Sequence, residues 1–436
     1  MTTYKEVTDY LFSALPMYQR IGEAAYKADL ENTVALLDAV GNPHQRFRSI
    51  HVAGTNGKGS VSNYIASILH NAGYKVGLYT SPHLVDFRER IRIDGEMIPE
   101  DDVVAFVQNN KPLLDRLTPS FFEMTVAMAF DYFASQKVEV AVVEVGMGGR
   151  LDSTNIITPD LSIITNIGLD HTKFLGNTLQ AIATEKAGII KPNIPVVIGE
   201  TQPETAPVFE QAAKNNSAPI YFADRNFEVT NAIYSNFSMQ LNISSAGGEQ
   251  QYFGLKSHLC GDYQKKNLVT VVQAVEVLRS MGYDIPLNAV MLGVESVVVD
   301  MGFHGRWQVV SSHPLIVCET AHNPAGIQSM LKTLETQKYS NLHVVFGCVN
   351  DKDYSTVLSM MPPNATYYFC KPDVPRGLDA DVLKLAAQKC ELHGVAYPDF
   401  PSAIKMANAC ADDNDLVLVT GSIFLVADAL KYFSAK

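Results

Sequence analysis

Short apolar runs recur along the first half of the chain, at 49–53, 74–80, 138–145, 161–166 and 195–199, with helical stretches such as 61–71 between several of them. These runs are the pattern of strands buried in a sheet rather than half-exposed ones. Strands that alternate with helices restrict the chain to a mostly parallel sheet covered on both faces. The rhythm breaks between about 226 and 255. There Phe227-Glu228-Val229-Thr230 and Phe237-Ser238-Met239-Gln240-Leu241 alternate in polarity and Gly247-Gly248 marks a turn, so a small antiparallel insertion is expected, then a helix over 264–281. A second strand–helix series, with strands at 315–318, 343–347, 366–369 and 416–420, is long enough for a smaller α/β domain. The expected division is 1–298 and 299–436, with the boundary near 298–302.

The strongest local signal sits on the first of these runs. Ser49-Ile50-His51-Val52-Ala53 leads into Gly54-Thr55-Asn56-Gly57-Lys58-Gly59-Ser60 and then a helix. An apolar strand, a glycine-rich turn and a helix start form an anion cradle: backbone N–H groups and the helix dipole face a phosphate, and Lys58 adds a positive charge. The common pattern G-x-x-x-x-G-K-[ST] is not met, since Val52 stands where its first glycine belongs and Gly59 follows the lysine. Gly59 has no hydroxyl for Mg²⁺, so the metal needs another oxygen ligand. Glu144, near the end of the 138–145 run, and His171, after the 161–166 run, stand where open parallel sheets place ligands.

Charge and composition exclude other classes. Asp plus Glu number 46 against 34 Lys plus Arg, for a net charge of -12, which argues against non-specific nucleic-acid binding. The first residues, Met1-Thr2-Thr3-Tyr4-Lys5-Glu6, have no apolar signal core, and no apolar run approaches a membrane span. The six cysteines form no C-x-x-C pair and read as free thiols in the core of a cytoplasmic protein.

The run His51-Val-Ala-Gly-Thr-Asn-Gly-Lys-Gly-Ser60 resembles the signature of the folylpolyglutamate synthase and dihydrofolate synthase family, within the Mur ligase superfamily. Further blocks fit in order: Thr80-Ser-Pro-His-Leu84, Glu144-Val-Gly-Met-Gly-Gly-Arg-Leu-Asp-Ser-Thr-Asn155, Gly168-Leu-Asp-His171, Glu185-Lys-Ala-Gly188 and Ala321-His-Asn-Pro324. The resemblance spans nearly the whole chain. It implies an α/β protein with a Mur-type central P-loop ATPase domain and a smaller Rossmann-like C-terminal domain, working on ATP with Mg²⁺ in the cleft between them. The implied reaction is ATP-dependent ligation of L-glutamate to the carboxylate of a reduced folate through an acyl-phosphate. Conversion of dihydropteroate to dihydrofolate is a second expected activity, suggested by Gly148-Gly149-Arg150-Leu151-Asp152.

The resemblance also implies roles for residues. Asn56, Gly57, Lys58, Gly59, Ser60, Asn267, Arg306 and Glu319 would contact ATP; Ser81, Glu144 and His171 would hold Mg²⁺; and Pro82, His83, Phe122, Glu123 and Asp152 would meet the folate. Lys58, Lys186 and His322 would be catalytic, with Lys186 carbamylated. Glu319-Thr320 departs from the usual Asp-Gly, so Thr320 must take a backbone conformation open to a side chain. Trp307 is expected to pack. The partners implied are small molecules, with no nucleic acid, no membrane and a monomeric chain. Two rival readings remain: another Mur-type amino-acid ligase, such as a cell-wall precursor enzyme, and a nucleotide-binding switch without ligase chemistry.

Overall fold

The computed structural model describes residues 2–15, 29–235, 237–350 and 353–435. The chain divides into two units, one of Met1–Ala232, Gln240–Ser257 and Lys265–Phe303, the other of Ile233–Met239, His258–Gln264 and His304–Lys436. The helix Leu287–Met301 runs unbroken through the expected boundary, and the main division falls after Phe303.

The first unit is built on eight strands: β1 (Arg48–Ala53), β2 (Val76–Tyr79), β3 (Ile91–Ile93), β4 (Glu96–Met97), β5 (Val140–Glu144), β6 (Leu161–Ile164), β7 (Val196–Ile198) and β8 (Ile220–Phe222). Their order is β4-β3-β2-β5-β1-β6-β7-β8. Pairing is parallel from β2 across to β8, and β3 and β4 add an antiparallel edge. Every residue of β2, β5, β6 and β7 is buried, as the continuous apolar runs require. Ala141 and Val143 of β5 share one apolar cluster with Phe130 and Phe133 of the helix Phe121–Ser135. Another cluster gathers Ile164 and Ile198 with Ile182 and Ala183 of the helix Leu179–Ala187.

The insertion is a three-stranded sheet, β11-β10-β9, of β9 (Phe227–Tyr234), β10 (Met239–Ser245) and β11 (Gln251–Ser257). Met239, Leu241 and Ile243 are buried with Gln240 exposed between the first two, the alternation of a sheet wet on one face. The Gln250 carbonyl accepts from the Ser245 N–H across the Gly247-Gly248 turn.

The second unit holds β12 (Gln308–Ser312), β13 (Leu315–Cys318), β14 (Leu342–Phe346), β15 (Thr366–Cys370), β16 (Gly394–Tyr397) and β17 (Leu416–Thr420) in the order β12-β13-β17-β14-β15-β16. All pairs are parallel except β12 with β13. The four expected strands are there. The strands that sequence reading missed, β3, β4, β8, β12 and β16, are short and lie at or next to sheet edges, where one flank faces solvent and no long apolar run is needed. All six cysteines are free thiols; four are buried, but Cys390 is half-buried and Cys410 exposed, so the core reading is corrected for those two. Among the described residues, no helix is long and apolar enough to cross a membrane.

Candidate active site

Strands β2, β5, β1 and β6 are consecutive neighbours, so the loops leaving their C-terminal ends lie side by side. From β1 comes the glycine-rich turn. Gly57 is left-handed, with φ 85°, and caps the helix Lys58–Asn71. A Cβ at this position would collide with the carboxamide oxygen of Asn267, which places Asn267 directly against the turn. The first half of the turn is tied to the end of β6: the Thr55 N–H donates to the Asn166 carbonyl at 2.9 Å and the Asn56 N–H to Asn166 Oδ1 at 3.0 Å. Thr165 Oγ1 donates to the Asn56 carbonyl at 2.6 Å. The Asn56 N–H is therefore taken, and beyond it the chain enters the first turn of a helix, whose N–H groups have no acceptor within the helix. Lys58 Nζ rests on the carbonyls of Gly54 (3.1 Å) and Thr55 (3.3 Å).

Glu144, the last residue of β5, is buried beside this helix start. Its Oε2 accepts from the Ser81 N–H at 3.2 Å and lies 3.8 Å from where a Cβ on Gly59 would stand. Ser81 follows β2, and through its backbone N–H it meets the Glu144 carboxylate, which stands beside Gly59. A carboxylate and a serine hydroxyl are hard oxygen donors of the kind Mg²⁺ takes, with phosphate oxygens able to complete its shell. Among the described residues no group of three or more His, Cys, Asp and Glu is assembled to hold a metal, so the cradle is not a closed protein cage. His171 is left-handed at φ 50° and opens the short helix Thr172–Leu175; its N–H donates to Asp170 Oδ1 at 2.8 Å and its Nε2 stands 3.9 Å from that oxygen.

Lys186, near the end of the helix Leu179–Ala187, is only 4% exposed. Its Nζ donates to the Gly54 carbonyl at 2.8 Å, the same carbonyl that Lys58 meets. Burial, with the Lys58 charge adding to it, pushes its pKa down to about 7, while Asp170 and Asp152 oppose that shift. The lysine is buried because the loop after Glu144 lies on its helix: a Cβ on Gly149 would press into the Glu185 and Lys186 backbone, and the Arg150 N–H donates to the Glu185 carbonyl at 2.8 Å.

On the other side of β5 lie the expected folate residues. The Phe122 ring covers Gly146 and stands 6.0 Å from the Tyr79 ring. His83 accepts from Arg90 Nε at 2.8 Å and its ring lies 6.2 Å from Phe12; Pro82 is exposed. Glu123 also has a local role, and its Oε1 is buried with no hydrogen-bond partner. Its Oε2 takes the Ser120 N–H at 2.5 Å while Ser120 Oγ takes the Glu123 N–H, a capping box at the start of Phe121–Ser135. Ser120 followed three residues later by Glu123 is the sequence signature of that box, which accounts for one of the two carboxylate oxygens.

In the second unit, the buried Glu319 accepts from the Tyr263 hydroxyl at 2.7 Å and from the Trp307 N–H at 2.9 Å. Burial raises its pKa against the pull of Arg306. Arg306 Nη1 hydrogen-bonds the Thr320 hydroxyl, a partner that a glycine there would not supply, and Thr320 is not among the residues with positive φ. His322 Nδ1 lies 2.9 Å from the Thr320 carbonyl, and Trp307 is packed in the apolar core as expected. The sequence reading missed Asn166 and Asp170. Both are polar residues just past an apolar strand, which is itself a signal.

Comparison with known proteins shows the family. Residues 52–275 match the Mur ligase middle domain and residues 305–423 the Mur ligase glutamate ligase domain. The chain is 34% identical to the dihydrofolate synthase/folylpolyglutamate synthase of Bacillus subtilis, covering 93% of this chain and 95% of that one. It is likewise 34% identical to the folylpolyglutamate synthase of Lacticaseibacillus casei, with 97% of each covered. It also matches, at 34% identity, a probable bifunctional folylpolyglutamate synthase/dihydropteroate synthase of Haloferax volcanii, but spans only 50% of that protein's length. Among solved structures, Mycobacterium tuberculosis folylpolyglutamate synthase complexed with ADP superposes with a TM-score of 0.89 at 30% identity, covering 99% of this chain and 98% of that one. E. coli FolC in complex with DHPP and ADP gives 0.85 at 28% identity, with the same coverage.

Proposed function

We propose, from the premise that this chain belongs to the folylpolyglutamate synthase and dihydrofolate synthase family of Mur ligases, that its phosphoryl-transfer centre is the cradle at the ends of β1, β2, β5 and β6. The protein is an ATP-dependent ligase that forms a C–N bond between glutamate and a folate. The observation that carries the site is the convergence of Lys58, Asn267, Ser81 and Glu144 on the Gly57–Ser60 turn.

ATP phosphorylates the folate carboxylate, giving an acyl-phosphate and ADP. The glutamate amine then attacks the acyl carbon and loses a proton, and the tetrahedral intermediate expels phosphate, so the amide forms without oxide or hydroxide having to leave the carbon. Lys58 and the first-turn N–H groups bind and orient the phosphates and meet the charge that develops on the transferring group. Ser81 and Glu144 would hold Mg²⁺, with His171 as a further ligand; the metal, when bound, neutralises phosphate charge. Asn267 fixes the turn from the side. Arg306, Glu319 and His322 belong to the same reading, as nucleotide contacts and, for His322, a group near the reacting carboxylate. The folate would lie against Phe122, His83 and Pro82, with Asp152 behind them.

Lys186 is the modified residue in this proposal. Its amine is buried and about half neutral at pH 7, the form that attacks CO₂, and the carbamate that results converts a buried cation into an anion beside Lys58. Dihydrofolate synthase activity is a second part of the reading, supported by the Gly146–Asp152 loop and by relatives named for both activities.

A substrate panel tests it. Glutamate-dependent ADP release is measured with tetrahydrofolate, with dihydropteroate and with a cell-wall precursor, each with ATP and Mg²⁺. Release with tetrahydrofolate is expected, and release with dihydropteroate at a lower rate. Turnover of the cell-wall precursor alone would overturn the folate reading; ATP binding without any release would point to a switch.

A further inference from the structure

His51 stands on β1 just ahead of the phosphate turn, fully buried, and takes no part in the chemistry above. Its Nε2 lies 2.8 Å from Thr154 Oγ1, and the Thr154 hydroxyl donates to Asp152 Oδ1 at 2.5 Å. The Thr154 N–H donates to the same oxygen at 3.0 Å, and the Met147 N–H to Oδ2 at 2.9 Å, with the Gly146 N–H also acting on the carboxylate. Thr154 is fully buried and Asp152 nearly so.

The proton positions follow from counting. A hydroxyl has one proton; given to Asp152, it leaves the Thr154 oxygen to accept from His51, which must then carry its proton on Nε2. His51 Nδ1 agrees with that assignment. It is buried without a hydrogen-bond partner, and a bare lone pair there is a smaller defect than an orphaned N–H. Burial and the neighbouring Lys191 charge push the imidazole pKa down to about 3, so the ring is neutral. The chain therefore has one polarity: His51 donates to Thr154, and Thr154 to Asp152.

The four donors on Asp152 fill the roughly four lone-pair sites of a carboxylate. Two of them tie it to the Gly146-Met147 turn that follows Glu144, which it holds in place. The Phe122 ring lies on that turn: a Cβ at Gly146 would collide with the ring and stand 3.1 Å from Asp152 Oδ2. Phe122 is half-buried, so part of it stays accessible. An aromatic face seated on an immobilised turn suits a flat heterocycle.

We infer that His51 is a positioning residue for the folate: acting through Thr154 and Asp152, it fixes the Gly146-Met147 turn on which the Phe122 ring is seated. The inference rests on the reading of Phe122 as a folate contact.

The test measures KM for tetrahydrofolate and for ATP, with kcat, in His51→Leu, Thr154→Val, their double variant, Thr154→Ser and Phe122→Ala, with thermal melting of each. His51→Leu and Thr154→Val are expected to raise the tetrahydrofolate KM about tenfold, the scale of a lost hydrogen bond to a charged chain, and to leave the ATP KM near its original value. The double variant is expected to match the worse single, and Thr154→Ser, which keeps the hydroxyl, to behave as the parent. If His51→Leu does not fold, the contrast between Thr154→Val and Thr154→Ser decides, because those two differ at the hydroxyl. Unchanged tetrahydrofolate KM in both single variants, multiplied effects in the double, or an equal rise in the ATP KM would each overturn the inference. Should these happen while Phe122→Ala raises the tetrahydrofolate KM, the folate site stands without His51. An unaltered KM in Phe122→Ala sinks the folate-site reading and the inference with it.

Discussion

Replacing Lys186 with alanine is expected to remove most ligase activity, and added acetate to return part of it. The reasoning runs through the amine. A free lysine with pKa near 10.4 is only ~0.04% neutral at pH 7, whereas one at pKa 7 is ~50% neutral, a gain of about a thousandfold in the form that attacks CO₂. Lys186→Ala removes the anion that carbamylation creates and leaves a gap beside the Gly54 carbonyl, into which a small carboxylate fits. Lys186→Arg keeps a permanent cation and fills the space, so acetate is not expected to help it. In the parent enzyme, the neutral fraction falls from about one half at pH 7 to about one tenth at pH 6, so activity in CO₂-limited buffer is expected to drop on the acid side with a midpoint near 7 and to recover with bicarbonate. The assays are ADP release with and without acetate, and a ¹³C carbamate signal after incubation with labelled bicarbonate. A fully active alanine variant, with no carbamate signal in the parent, would refute the reasoning. The same shift bears on stability. The folded-state pKa lies below the unfolded one, so the cost of burying the cation, on the order of 5 kcal/mol if none is relieved by carbamylation, is full below pH 7 and fades as pH rises through 10.4. In CO₂-free buffer Lys186→Met is therefore expected to resist urea better than the parent at pH 6, with the gap closing by pH 10.

Other outcomes follow from the geometry. Lys58→Ala is expected to lower ADP release by more than about a hundredfold, the usual range for a preorganised phosphate contact, without a fall in melting temperature, because its Nζ bonds two loop carbonyls and its charge opposes that of the buried Lys186. Near-normal turnover would remove it from the site. Gly57→Ala is expected to cost about 1–3 kcal/mol of stability, from its positive φ and the collision with Asn267, and to weaken ATP binding measured by calorimetry. Ser120→Ala is expected to cost about 1 kcal/mol in urea titration through loss of the helix cap while kcat stays within about twofold. A large fall in kcat with little loss of stability would instead return Glu123 and its cap to the folate site.

Much of this protein is written locally. The buried strands of the first sheet are continuous apolar stretches, because a parallel sheet covered on both faces needs apolar side chains on both faces. Gly57 is legible because only glycine takes its conformation at little cost, and Lys58 because it opens the helix after that turn. Ser81, Glu144 and His171 are legible as positions at strand ends, and the Glu123 cap was there to be read from its spacing. What no local pattern carries is which groups meet once the chain is packed. The lysine at 186 reads as a solvated helix residue until the Gly146–Asp152 loop covers it, and its depressed pKa exists only because packing removes water from around a charge. Asn267 and Gly57 lie far apart in sequence, as do His51 and Thr154, and their contacts depend on strand order and on how closely backbone meets side chain. The edge strands escaped notice for a related reason: with one flank in solvent they carry little apolar signal, and the neighbouring strand supplies the hydrogen bonds that define them. Sequence therefore determined the elements and the chemical inventory of the site, and the tertiary structure decided the protonation, burial and pairing of its groups, because those depend on the dielectric and the neighbours that packing alone provides.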